Sequence, residues 1–121
     1  MTGIDCDPKV FDSIVNFEYV IGNSTDPSLS LKIPNHDIII DDGSHLLHDQ
    51  IATFINFKDK FNYFYVIEDV NFQSHNGYKP YVTEALKECI YSLGFYGVSV
   101  YDSFAGLPHP CQSIVVHSKS F

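Results

Sequence analysis

A chain of 121 residues that is 45 % hydrophobic, with ten phenylalanines and eight tyrosines, has the apolar surface for one packed domain and is not disordered. Its formal charge of −8, from 15 acidic residues against 7 lysines and no arginine, argues against a nucleic-acid partner gripped through phosphates. The odd, scattered set Cys6, Cys89 and Cys111 argues against a disulfide framework or zinc ribbon, and no apolar run approaches the roughly 20 residues of a membrane span.

The N-terminus also lacks the basic and apolar regions of a signal peptide, so the expected setting is cytoplasmic, with reduced thiols and no membrane partner. Excess acid suits a metal or polar ligand. It equally keeps an ordinary small domain soluble.

In chain order, Gly3-Ile4-Asp5 reads as the end of a strand. Asp7 then caps a short helix that Pro8 opens, with Val10, Phe11, Ile14 and Val15 on one apolar face. Phe17 to Ile21 reads as a strand closed by the turn-rich run Gly22-Asn23-Ser24-Thr25-Asp26-Pro27. After a Pro34-Asn35 turn comes the strand Asp37-Ile38-Ile39-Ile40, which runs into Asp41-Asp42-Gly43-Ser44-His45.

From Ser44 to about Phe57 the positions Leu47, Ile51, Phe54, Ile55 and Phe57 recur at helical spacing, leaving His48, Asp49 and Gln50 toward water. Tyr63 to Ile67 forms the next strand and ends in Glu68-Asp69; Asn71 to Gly77 reads as a loop. Pro80 opens a helix whose buried stripe is Val82, Ala85, Leu86, Cys89, Ile90 and Leu93, with Gly94 as its C-cap. Val98 to Tyr101 and Ser113 to His117 are closing strands. The loop between them, with Gly106, Pro108 and Pro110, is too short for a crossover helix, so they pair antiparallel.

Alternating strands and helices define an α/β domain over residues 1–121. The apolar strands read as parallel and covered on both faces, and two of them present carboxylates at their C-terminal ends, the edge where α/β sheets bind ligands. That rim holds Asp41, Asp42, His45, Glu68 and Asp69. Each has an ordinary reading too: Asp41 or Asp42 as a cap on the Ser44 helix, His45 as a surface residue, Glu68-Asp69 as a solvated pair.

Ile38-Ile39-Ile40-Asp41-Asp42-Gly43-Ser44-His45 followed by Tyr65-Val66-Ile67-Glu68-Asp69 resembles the paired signature of class I S-adenosylmethionine (SAM)-dependent methyltransferases. The likeness is to the metal-dependent sugar O-methyltransferases of macrolide biosynthesis and the related cephalosporin hydroxylase group. It implies a truncated Rossmann-like sheet, mostly parallel with an antiparallel C-terminal pair. It also implies a magnesium ion held by Asp42, Glu68 and Asp69, with His45 as general base toward a hydroxyl of a small molecule or sugar. Asp5 stands where the family binds the ribose hydroxyls of SAM, and Asn23, Ser24 and Asp41 where it binds elsewhere on the cofactor. Asn23 replaces the usual aspartate, and Phe61-Asn62 a usual glycine pair.

The family's first strand and glycine-rich loop have no counterpart in these residues. The resemblance therefore implies a gap between the Gly3 and Asp37 strands, closed by direct pairing, filled by another chain, or left open in an incomplete domain. The alternative function is a non-catalytic module that keeps the fold and self-associates or binds a partner. A metal-dependent hydrolase using Asp41, Asp42 and His45 lacks a second histidine cluster or a phosphate loop.

Overall fold

The computed structural model describes residues 1–7, 18–71, 79, 81–103 and 111–120. In chain order the elements are β1 (Thr2–Asp5), β2 (Glu18–Ile21), α1 (Pro27–Ser30), β3 (His36–Asp41), α2 (Leu47–Phe57), β4 (Phe61–Val70), α3 (Tyr81–Ser92), β5 (Val98–Ser103) and β6 (Cys111–His117). The expected helix over Pro8 to Val15, most of the Asn71 to Gly77 loop, Pro80 and the loop carrying Gly106, Pro108 and Pro110 lie outside the described residues.

The strands form two sheets. β1 and β2 pair in parallel, while β3, β4, β6 and β5 lie side by side in that order. β3 runs parallel to β4, but β6 runs antiparallel to both β4 and β5. The main sheet is therefore mixed, not mostly parallel as expected. The closing strands do pair antiparallel, but β6 also inserts beside β4, which adds a second antiparallel ladder. Nor does β1 pair with β3: the sheet is interrupted between them.

One face of the main sheet carries the core. Two-residue periodicity turns Tyr65 and Ile67 of β4 and Ile114 and Val116 of β6 toward α2 and α3, where they meet Phe54, Phe57, Leu86 and Ile90. Phe54 is the hub, edge-to-face with Tyr65 at 5.0 Å and with Phe95 at 5.4 Å. The other face is open along β3, where Ile38 and Ile40 are 53 % and 61 % exposed. The expectation that this strand is covered on both faces fails, because α2 and α3 contribute their core residues to the opposite side.

Helix boundaries follow local chemistry. Asp26 accepts a hydrogen bond from the Ser28 amide at 3.0 Å and caps α1, a single turn that periodicity is too short to reveal. α2 begins at Leu47 rather than Ser44, and its N-cap Leu46 has no side-chain cap bond, so neither Asp41 nor Asp42 acts as the cap. In α3 the fully sheltered positions are Thr83, Leu86 and Ile90, and Thr83 replaces the expected Val82 because its hydroxyl donates to Gln112 on β6. Gly94 follows with φ +89°, the left-handed turn that glycine adopts at no steric cost. Among the described residues no helix is long and apolar enough to cross a membrane.

Candidate active site

The C-terminal ends of β3 and β4 bring the acidic rim together. Asp41 faces the core side and is buried; its Oδ1 accepts the Gly43 amide at 3.2 Å, which curls the chain into the turn and leaves Asp42 exposed beyond it. His45 then reaches across to β4, placing Nε2 3.2 Å from Asp69 Oδ2. One ligand atom each from Asp42, His45 and Asp69 lies within 4.8 Å of the others.

At the end of β4, Asp69 and Asn71 take φ of 54° and 63° on either side of the fully buried Val70. Aspartate and asparagine are the non-glycine residues that best tolerate this region. The twist presents Asp69 to the rim while Val70 anchors the strand. Cys111 Sγ donates to Asp69 Oδ1 at 3.3 Å, so both carboxylate oxygens are engaged. Gln50 Nε2 donates to the Glu68 carbonyl at 3.1 Å and ties the start of α2 to this end of β4.

The electrostatics are those of crowded acids. Burial, then the charges of Asp42 and Asp69 and a hydrogen bond with Asp42, raise the Glu68 pKa. Asp41 is pushed up to about 6, chiefly by burial and secondarily by Asp42, against the opposing Gly43 amide. Cys111 is raised to about 11 by burial and by Asp69, so it is a thiol at neutral pH.

Beside the rim lies a cleft of about 810 Å³ between the two sheets. Asp5, Asn23, Ser24 and Asp41 all line it, together with Asp42. Asp5 Oδ1 accepts the Asp7 amide at 2.7 Å. Asn23 Oδ1 accepts the Thr25 amide and hydroxyl at 3.0 and 2.8 Å. Ser24 Oγ meets Thr53 Oγ1 at 2.9 Å, and its carbonyl accepts from Asn56. Asn23 and Ser24 thus also shape their own loop. His45, Glu68 and Asp69 sit on the rim and do not line the cleft.

Sequence reasoning missed Gln50, placed toward water by helical spacing but 1 % exposed, and did not connect Cys111 with Asp69. A glutamine one turn into a helix beside two acidic strand ends is a signal of sorts, since such a residue can satisfy a strand-end carbonyl. The cysteine contact spans 42 positions and left no local trace. His48 faces solvent beside Asp49, as expected.

No family model and no curated protein matches the chain. Solved structures do. The MycE methyltransferase of the mycinamycin biosynthetic pathway, in complex with Mg and SAH, superposes with a TM-score of 0.64 at 20 % identity over 95 % of this chain and 35 % of its own. A SAM-dependent methyltransferase from Archaeoglobus fulgidus gives 0.64 at 18 % identity, covering 96 % of this chain and 75 % of that one. An rRNA methylase from Streptococcus thermophilus gives 0.61 at 12 % identity, over 97 % and 72 %. The chain spans about a third of the length of MycE. Its architecture is structurally similar to that of the class I SAM-dependent methyltransferases.

Proposed function

We propose that this chain is a SAM-dependent, magnesium-assisted O-methyltransferase domain acting on a hydroxyl of a small molecule or sugar. The carrying observation is the convergence of Asp42, His45 and Asp69 at the C-terminal strand ends of a methyltransferase-like fold. MycE, to part of which this chain is structurally similar, has been solved with Mg, SAH and mycinamycin VI.

The donor set fits a divalent cation through carboxylate oxygens from Asp42 and Asp69, with a His45 nitrogen beside them; Glu68, expected as a ligand, is not in the converging group. When bound, the cation supplies Lewis acidity to a hydroxyl. The remaining work falls to the chain. Asp42 and Asp69 would hold the cation through their carboxylates. Asp69 orients the His45 ring from one side while Cys111 fixes Asp69 from the other. His45 accepts the acceptor's proton on its imidazole ring. Asp5, Asn23, Ser24 and Asp41 line the cleft where the methyl donor would lie.

The split sheet favours a second reading, a non-catalytic module that keeps the fold and the acidic rim. Calorimetric titration with SAM, with and without magnesium, separates the two. Saturable SAM binding, followed by methyl transfer that His45→Ala abolishes, is the expected result for the enzyme. A folded sample that binds no SAM decides for the module.

A further inference from the structure

We propose that a second pocket, at the end of the main sheet away from the acidic rim, binds a small planar aromatic molecule that carries an anionic group, a carboxylate or a phosphate. This inference does not depend on methyl transfer or on the cleft between the two sheets. It rests on a cavity walled by a lysine, serine hydroxyls and aromatic rings, with no carboxylate lining it among the described residues.

The pocket, of about 530 Å³, lies between the segment that follows α3 and the end of β6. That volume falls within the range of small-molecule sites, roughly 300–1,000 Å³. Gly94 to Ser99 form one wall, and His117, Ser118 and Lys119 form the other. Phe64 pairs with His117 and Val70 with Gln112, so β4 and β6 carry this pocket at one end and the acidic rim at the other. Two glycines let the walls approach. A Cβ on Gly97 would stand 3.0 Å from His117 Cβ, and one on Gly94 would stand 3.1 Å from Lys119 Nζ. The Gly97 carbonyl accepts the His117 amide at 2.8 Å, and the His117 ring meets Phe64 edge-to-face at 5.1 Å, so this wall is fixed.

Lys119 and Tyr96 supply the recognition. Lys119 Nζ lies 4.6 Å from the centre of the Phe95 ring, a contact that holds the ammonium at the pocket. Lys119 makes no ion pair among the described residues, whereas Lys58 and Lys87 are each paired with an acid. On a chain of net charge −8, an uncompensated ammonium in a concavity without carboxylates selects an anion. Tyr96 is 77 % exposed and lies nearly parallel to Tyr91, with 16° between the planes and 6.5 Å between the centres. So open a ring, backed by a second, gives an aromatic ligand a face to stack on. The Ser99 hydroxyl adds a donor for the ligand's oxygens. A bare phosphate would use only the Lys119 side of this arrangement.

The probes are phenyl phosphate and benzoate, with inorganic phosphate and phenol as the two halves of such a ligand, titrated into the isotope-labelled chain. Amide resonances of Gly94 to Ser99 and His117 to Lys119 are expected to shift saturably with at least one aromatic anion, and the one that responds tells phosphate from carboxylate. Each half should bind about tenfold or more weakly than the whole. Lys119→Met keeps the aliphatic stem and is expected to lose about tenfold or more in affinity, while Lys119→Arg stays within about threefold. Tyr96→Leu, at an exposed position, should weaken the aromatic anions and leave inorganic phosphate unchanged. Equal binding of inorganic phosphate and phenyl phosphate would mean an adventitious ion only and overturn the proposal. So would no saturable shift at millimolar probe in a folded sample, shifts centred on the acidic rim, or affinities unmoved by Lys119→Met or by Tyr96→Leu.

Discussion

His45 Nε2 lies 3.2 Å from Asp69 Oδ2, so a residue just ahead of α2 and one at the end of β4 are joined across the rim. The contact sets the geometry of the candidate cation site, because Asp69 sits at φ 54° and directs its carboxylate there. Asp69→Asn keeps a side chain that tolerates this backbone and removes the charge. The expected outcome is a folded protein whose magnesium or manganese affinity falls about tenfold or more, equivalent to ~1.4 kcal/mol. Isothermal titration of parent and variant checks it. Equal affinities would remove Asp69 from the site.

Asp41 supplies a pH signature. Its folded-state pKa of about 6 lies above the ordinary 3.8, so the native chain holds this proton more tightly than the unfolded chain. Its contribution is most favourable below about pH 4 and is lost as pH rises through about 6, a change of about 3 kcal/mol for two pKa units. Asp41→Asn, which keeps an acceptor for the Gly43 amide, is expected to be the more stable protein at pH 7.5, with the advantage shrinking toward pH 4. Urea unfolding of both proteins across this range tests the sign.

Gln50 is expected to matter more than a polar residue on an amphipathic helix usually does. Gln50→Ala leaves the Glu68 carbonyl without its side-chain donor and opens a buried space, costing about 1–3 kcal/mol. The urea midpoint should fall with an unchanged slope. The cation affinity should fall with it, since Glu68 and Asp69 lose the bond that ties them to α2.

Tyr65→Phe is expected to run the other way. The hydroxyl is buried, lacks a partner and is held well above its ordinary pKa by burial and by Asp41, so it remains a neutral phenol. Removing it relieves a desolvated polar group while the ring keeps its contacts with Phe54 and Phe61, and stability should hold or rise by about 1 kcal/mol. Thermal unfolding at neutral pH reads the result. A marked loss would show that the hydroxyl has a bonding role in the free chain.

The rim and most strands are legible in the residues because they rest on local signals. Three consecutive isoleucines before an acidic Gly-containing turn give a strand end, and Tyr63 to Ile67 before Glu68-Asp69 gives another. What escapes is long-range or depends on relative rotation. Gln50 faces inward because it lies four residues before Phe54 and seven before Phe57, on the stripe that buries Phe54 against Tyr65. The antiparallel insertion of β6 beside β4 rests on pairing between segments far apart in the chain, such as Val66 with Val115. Pairing of that kind leaves no periodic mark on either partner.

The interruption of the sheet also bears on the order in which the molecule comes apart. β1 and β2 share no ladder with the main body; among the described residues they are attached through the Thr2–His36 bond, the packing of Ile4 and Val20 against the core, and the bonds of Ser24, just after β2, to Thr53 and Asn56 of α2. A unit joined by so few contacts opens at a lower free energy than the strands around Tyr65 and Ile114. The short sheet would thus act as a hinged flap, loosening well before the rest of the domain melts and taking one wall of the cleft with it.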